Sequence, residues 1–224
     1  MKVILFGDNK KIGEELVTKF GFDVVDSNPE AVISFGGDGT LMKAEFAYPG
    51  IPKIVLRDSN ICKVCSVLTN EEVLEKISRK EYTIQPLMKI EAQFEGNTIS
   101  AINDIVIHNG NPRHGIRYNL TVNDRPIGGT IIGDGIVVAT PLGSTAYYRS
   151  ITDSYFEAGI GIAFNNSTEQ IDHVVCTEDK IITTTIVRGP AMVYADNQEK
   201  IFELKDGDKV VIKRSGSVGQ RIVV

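Results

Sequence analysis

Five residues, Gly36-Gly37-Asp38-Gly39-Thr40, stand between an apolar run, AVISF, and a segment with helical apolar spacing that begins at Leu41. A strand that turns into a helix through glycines offers backbone N–H groups at the helix N-terminus, where phosphate binds well. Open α/β sheets take their ligands at the carboxyl ends of the strands, which is where this turn would lie. Asp38 has only small neighbours, so its carboxylate is open to a substrate hydroxyl. The plain alternative is a tight turn in which the glycines adopt positive φ and Asp38 or Thr40 caps the helix.

Two further stretches carry polar groups where ligands are held. Gly133-Asp134-Gly135 opens a short buried strand that runs into Thr140-Pro141-Leu142-Gly143-Ser144-Thr145-Ala146-Tyr147, with a helix expected to begin near Ser144. That turn would show backbone groups and the hydroxyls of Thr140, Ser144 and Thr145 to a ligand, with Tyr147 ready to stack on a planar ring. A capped helix start with a core tyrosine explains the same residues. Asn103 and Asp104 interrupt an otherwise apolar strand, and buried polar side chains need partners. A bulge or sheet edge would supply them, and so would a ribose and base. The Walker A pattern is absent, and Gly133-Asp134-Gly135 lacks the third glycine of a Rossmann turn.

These residues need elements to hold them. The chain has 224 residues, enough for one large domain or two small ones, and two are expected. Residues 1–86 alternate strand and helix, the pattern of a doubly wound parallel α/β domain. Its first helix places Ile12, Leu16, Val17 and Phe20 on one face, and a later one opens with Thr69 or Asn70 as N-cap, Glu72 completing a capping box, and Val73, Leu74 and Ile77 buried. Residues 87–224 are rich in short strands separated by turn signals such as Asn123-Asp124 and Asp206-Gly207, a second, β-rich domain. The last residues are free to pack back on the first domain. No long linker separates the two, so the ligand site is expected in a cleft between them.

Composition narrows the partners. A net charge of −5 speaks against nucleic acid or anionic membrane as the main partner, since phosphate backbones call for a basic face. Apolar runs are too short to span a bilayer, and residues 1–10 read as a first strand rather than a signal peptide, so a cytoplasmic protein is expected. Three cysteines cannot all pair within one chain, which fits a reducing compartment, and Cys62 and Cys65 read as thiols rather than a redox or zinc site. His108, His114 and His173 are scattered and read as surface or loop residues. Lys63, Arg113 and Arg117 could neutralise donor phosphates, but each is more often a solvated surface charge.

Taken together, GGDGT, then Asn103-Asp104, then the stretch from Gly133 to Tyr147 resemble the NAD kinase family, well over residues 33–150 and thinly before them. The resemblance implies transfer of a terminal phosphoryl group from ATP, or another polyphosphate donor, to the 2′-hydroxyl of the adenosine ribose of NAD, giving NADP. It makes Asp38 the catalytic residue, orienting that hydroxyl and accepting its proton. Gly36, Gly37, Gly39 and Thr40 become the phosphate-donor loop. Gly39, Asn103, Asp104, Asp134, Thr145, Ala146, Tyr147 and Ser150 become the NAD-binding set. Within it Asn103 and Asp104 hold the adenosine portion, Thr145 and Tyr147 surround the adenine, and Asp134 meets the nicotinamide end in this or a neighbouring subunit. Mg²⁺ or another divalent cation would arrive with ATP, with no metal ligand from the protein, and a homodimer or homotetramer is implied.

The chain also departs from the family pattern. Ser59-Asn60-Ile61-Cys62-Lys63 stands where a Gly-Asn-Leu-Gly-Phe-like loop is usual, Leu142 replaces a serine or threonine, Asn197 replaces a glycine, and the segment after Ser150 is unlike the usual Gly-Gly-Pro. The changes at residues 59–63, at Leu142 and after Ser150 lie on the NAD side and bear on substrate choice more than on phosphoryl transfer. Two other readings keep part of the pattern: a non-catalytic dinucleotide-binding paralogue, and a lipid kinase that shares the GGDGT loop.

Overall fold

In the computed structural model, which describes residues 1–168 and 171–224, the chain divides into two units, Met1–Leu87 with Val218–Val224, and Met88–Ser217. The first unit holds β1 (Lys2–Phe6), α1 (Lys10–Lys19), β2 (Asp23–Val24), β3 (Ala31–Gly36), α2 (Asp38–Ala47), β4 (Lys53–Arg57) and α3 (Asn70–Ser78). Its strands run parallel in the order β4-β3-β1-β2, and Arg221 and Ile222 add a further parallel strand beside β4. β3 is buried at all six residues and β4 at four of five, as strands covered on both faces must be. Register sets Gly36 opposite Arg57, so the two strands end side by side where α2 begins.

α3 follows its local signals, and α1 departs from them at one residue. Thr69 caps α3 by accepting the Glu72 amide, Glu72 accepts the Thr69 amide in return, and Val73, Leu74 and Ile77 are buried. In α1, Ile12 lies exposed instead of inside, because the helix meets the sheet at Gly13 and Val17. A Cβ on Gly13 would stand 2.9 Å from Leu5 Cδ2, so the apolar cover at that point comes from Leu5 and Phe35.

α2 carries Asp38 at its start and is fixed at its other end. Glu45 and Lys53 form a buried ion pair, the Lys53 ammonium also donates to the Tyr48 carbonyl at the helix C-terminus, and the Gly50 amide donates to Glu45 at 3.1 Å. A cation suits that end of the helix dipole, and α2 has no basic residue of its own in its last turn. Such a pair is costly to break from one side, because the remaining charge stays buried.

The second unit is a two-sheet sandwich. β5 (Thr83–Phe94) leads into it and pairs with β6 (Asn97–Ala101); then come β7 (Asp104–Asn109), β8 (Ile116–Val122), β9 (Arg125–Pro126), β10 (Ile131–Gly133) and β11 (Gly135–Ala139). α4 (Tyr147–Thr152) follows a one-turn helix at Gly143–Thr145, and the chain ends in β12 (Ile160–Asn165), β13 (His173–Cys176), β14 (Ile182–Arg188), β15 (Ala191–Ala195), β16 (Phe202–Leu204) and β17 (Lys209–Val223). One antiparallel sheet has the order β13-β12-β11-β7-β15-β16, and facing it stand β10-β8-β14-β17. Ile105, Ile107, Ile136 and Val138 from the first interlock with Tyr118, Leu120, Ile182 and Val210 from the second. The first sheet's outer face is also covered, by Tyr148 of α4 with Phe156, over Val106, Val137 and Ala163. That second cover explains why β11 is apolar at every position while β8 alternates. Asn123 and Asp124, both at positive φ, join β8 to β9 as the turn signal predicts.

Replacing Glu45 with Gln is expected to cost about 3 kcal/mol in urea unfolding, because a buried ammonium loses its carboxylate. The double change Glu45→Leu with Lys53→Met should recover most of that loss.

Candidate active site

β3 delivers the chain to Gly36 and Gly37, and α2 starts at Asp38 itself. Gly37 is the N-cap residue and offers no side chain, so neither Asp38 nor Thr40 caps the helix. None of Gly36, Gly37 and Gly39 adopts positive φ. Close approach is what demands glycine here: a Cβ on Gly36 would stand 2.1 Å from Thr40 Oγ1, and one on Gly37 3.1 Å from the Ile61 carbonyl oxygen. The Asp38 carboxylate is half-buried and turned to the loop that follows β4. Its Oδ1 accepts the Lys63 amide at 2.9 Å and the Val64 amide at 3.0 Å. A carboxylate in the first turn of a helix also lies at the favourable end of the dipole.

The same loop corrects the reading of its cysteines. Cys62 and Cys65 are joined by a disulfide instead of standing as thiols, and Cys176 alone stays free. The pairing removes the support that the cysteine count lent to a reducing compartment. Among the described residues, no helix is long and apolar enough to cross a membrane.

In the second unit the polar interruption at 103–104 is a corner between β6 and β7. Asp196 makes that corner. Its Oδ1 accepts the Asn103 amide at 2.8 Å and the Asp104 amide at 3.1 Å, and its Oδ2 accepts the Ile102 amide at 3.1 Å. The Asn103 carbonyl in turn accepts the Thr140 amide, and Thr140 Oγ1 donates to the Ile102 carbonyl. Asp104 is buried and Asp196 is half-buried. Burial, and then the charge of Asp196, raises Asp104 to about 7; burial raises Asp196 to about 6 against the pull of its three amides.

The hydroxyl-rich turn divides into inside and outside. Thr140 and Ser144 are buried and satisfied by backbone, Ser144 Oγ donating to the Pro141 carbonyl at 2.7 Å, so two of the three hydroxyls expected to face a ligand are structural. Thr145 is half-buried, Ala146 precedes α4, and the exposed Ser150 donates to the Tyr147 carbonyl at 2.7 Å. The helix begins at Tyr147 rather than Ser144. Tyr147 accepts from Asn165 Nδ2 at 3.0 Å, and burial, then the charges of Asp104 and Asp134, push its phenol up. Tyr194 is pushed up to about 12 by burial, then by Tyr147 and Asp104. Asp134 is held at the corner between β10 and β11 by Asn109 Nδ2 at 3.1 Å and Asn166 Nδ2 at 3.0 Å. Gly135 beside it has φ +139° and a Cβ there would sit 1.9 Å from the Ile107 carbonyl oxygen.

The fold thus gathers Asn103, Asp104, Asp134 and Tyr147 in the second unit, and Gly36 to Thr40 in the first. Sequence reasoning missed Asp196, Asn165, Tyr194 and the Lys63 and Val64 amides. Asp196 had one signal, an aspartate next to an asparagine directly after a strand, and it does adopt positive φ. Among the described residues, no three His, Cys, Asp or Glu side chains gather as a metal cage.

Known proteins resemble this chain in sequence and in fold. The family model described as the ATP-NAD kinase C-terminal domain matches residues 102–222. An NAD kinase of Caldanaerobacter subterraneus subsp. tengcongensis is 31% identical over 97% of this chain and 84% of its own length, and one of Natranaerobius thermophilus is 29% identical over 86% and 72%. Among solved structures, yeast NADH kinase complexed with NADH superposes with a TM-score of 0.83 at 14% identity, over 100% of this chain and 83% of that one. An NAD kinase from Archaeoglobus fulgidus in complex with ATP gives 0.80 at 20%, over 98% and 92%. The two structures speak for the fold; the family model and the relatives carry the assignment, by which this chain belongs to the NAD kinase family.

Proposed function

We propose that the chain is an active NAD kinase that takes the terminal phosphoryl group of Mg²⁺-bound ATP and places it on the 2′-hydroxyl of the adenosine ribose of NAD. The observation that carries this reading is the Asp38 carboxylate, in the first turn of α2 and turned by two amides on one of its oxygens. An aspartate is too weak a base to ionise an alcohol outright. In a loose phosphoryl-transfer transition state alignment matters more, and the proton moves late. Asp38 would hold the hydroxyl in line with the γ-phosphorus. As the new O–P bond forms and the bond to the bridging oxygen breaks, the proton passes to Asp38 and ADP leaves.

The packing of Thr40 and the 59–61 loop accounts for glycine at 36 and 37 without any phosphate. Donor binding then rests on the N-terminus of α2, with Gly39 and Thr40 in its first turn. A single carboxylate tied to two amides suits a metal ion carried in by phosphates, since Mg²⁺ keeps several waters and favours phosphate oxygens. On the acceptor side, Asn103 and Asp104 would hold the adenosine portion, Thr145 and Tyr147 the adenine, and Asp134 the nicotinamide end. Asp104 serves a ribose hydroxyl as an ionised acceptor.

Asp38→Asn is expected to lower kcat for NADP formation by at least about a hundredfold, with the melting temperature unchanged and the KM for NAD within about threefold. The carboxamide oxygen can still accept both loop amides, so the fold is kept. A strictly NADP-dependent dehydrogenase reads the product. Equal rates in variant and wild type would remove Asp38 from the chemistry; NAD raising the melting temperature with no product from the wild type would favour a binding protein.

Asp104 also sets a pH dependence. Its folded value of about 7 lies above its ordinary 3.8, so the folded state keeps a proton that the unfolded chain gives up. The stability linked to that proton is complete below 3.8 and is lost as pH rises to about 7. The ligand-free protein should therefore melt lower at pH 7.5 than at pH 5. NAD affinity should run the other way, weakening below pH 7 as Asp104 takes up its proton, and Asp104→Asn should flatten both trends.

A further inference from the structure

The two residues enclosed by Cys62 and Cys65 are Lys63 and Val64, the same two whose amides hold Asp38. The disulfide therefore closes a small ring around both donors. The ring is anchored on the site from several sides. A Cβ on Gly37 would touch the Ile61 carbonyl oxygen, the Cys65 sulfur lies 3.9 Å from the Gly36 carbonyl oxygen, and Arg221 Nη1 donates to the Val64 carbonyl at 3.2 Å. Arg57 Nη2 reaches the Cys62 carbonyl at 3.4 Å. The Cys62 carbonyl shares its peptide plane with the Lys63 amide, so its bond to Arg57 leaves that amide facing Asp38. Both cysteines are half-buried beside the exposed Ile61 and Lys63, so a small thiol can reach them.

We propose that Cys62–Cys65 is a reversible redox site whose substrate is a dithiol, and that its state sets how firmly Asp38 is oriented. A thiolate of the reductant attacks one ring sulfur, giving a mixed disulfide and freeing one cysteine. The reductant's second thiol then closes on the first to form its own disulfide. Two electrons and two protons pass in all to Cys62 and Cys65, which become thiols. The opened loop gains backbone freedom, the Lys63 and Val64 amides leave Asp38 for part of the time, and transfer slows. Oxidation closes the ring and restores the orientation. The effect on rate rests on Asp38 being the catalytic carboxylate; the redox change and the loosening of the loop do not.

The test compares protein oxidised with diamide and protein reduced with dithiothreitol, using three readouts on the same samples. Iodoacetamide labelling and mass should find Cys62 and Cys65 blocked in the first sample and both labelled in the second, under native conditions. Hydrogen exchange in peptides covering residues 59–68 should be faster after reduction. NADP formation should fall about threefold or more on reduction, in keeping with the sensitivity of catalysis to orientation, and return on reoxidation. Cys62→Ser with Cys65→Ser should stay at the reduced rate under both treatments. The proposal is overturned if the ring does not form or does not open, or if reduction confirmed by mass leaves exchange unchanged or leaves a measurable rate unchanged. Faster exchange on reduction with no NADP in either sample would uphold the redox site and sink the kinase reading.

Discussion

Backbone amides donated to a carboxylate hold a loop in each unit. Asp38 takes two, from Lys63 and Val64, and Asp196 takes three, from Ile102, Asn103 and Asp104. Hydrogen bonds with a charged partner are stronger than neutral ones, and they fix the donor backbone as firmly as the acceptor. In each case one side chain therefore sets the course of a loop. The rest follows from that constraint: the corner at 102–104 faces Asp104 inward, and the loop after β4 lies over the glycines at the start of α2.

Much of this was legible before any coordinates. The strand-to-helix turn at Gly36–Asp38, the capping box at Thr69 and Glu72, and the Asn123-Asp124 hairpin each depend on residues within a few positions of one another, and local chemistry decides them. Asp196 is different, because its amides come from a segment some ninety residues earlier. The Lys63 and Val64 donors are backbone groups, which every residue but proline possesses, so no residue type announces them. The hydroxyls of Thr140 and Ser144 carry the right chemistry for a ligand, yet depth in the fold decides whether they meet one, and both lie inside.

The apolar strands of the second unit also shaped what could be read. β8 and β14 alternate and announce a half-covered sheet, whereas β7, β11 and β12 are apolar on both faces because α4 and Phe156 add a second cover. Tyr147 sits at the edge of that cover, one residue before the buried Tyr148. Neighbouring tyrosines on one short helix thus divide between core and site, and helical geometry is the reason.

β17 begins in the second unit beside β14 and finishes in the first, where Arg221 and Ile222 pair with β4. The strand next to β4 is therefore made only after the whole second unit has been synthesised. Residues 1–87 leave the ribosome first, but their sheet waits for the rest of the chain before its edge is covered. An uncovered edge is a hazard for association with other chains. Birth order and completion order are reversed in this protein, and the interval between them is the time taken to translate the entire second unit.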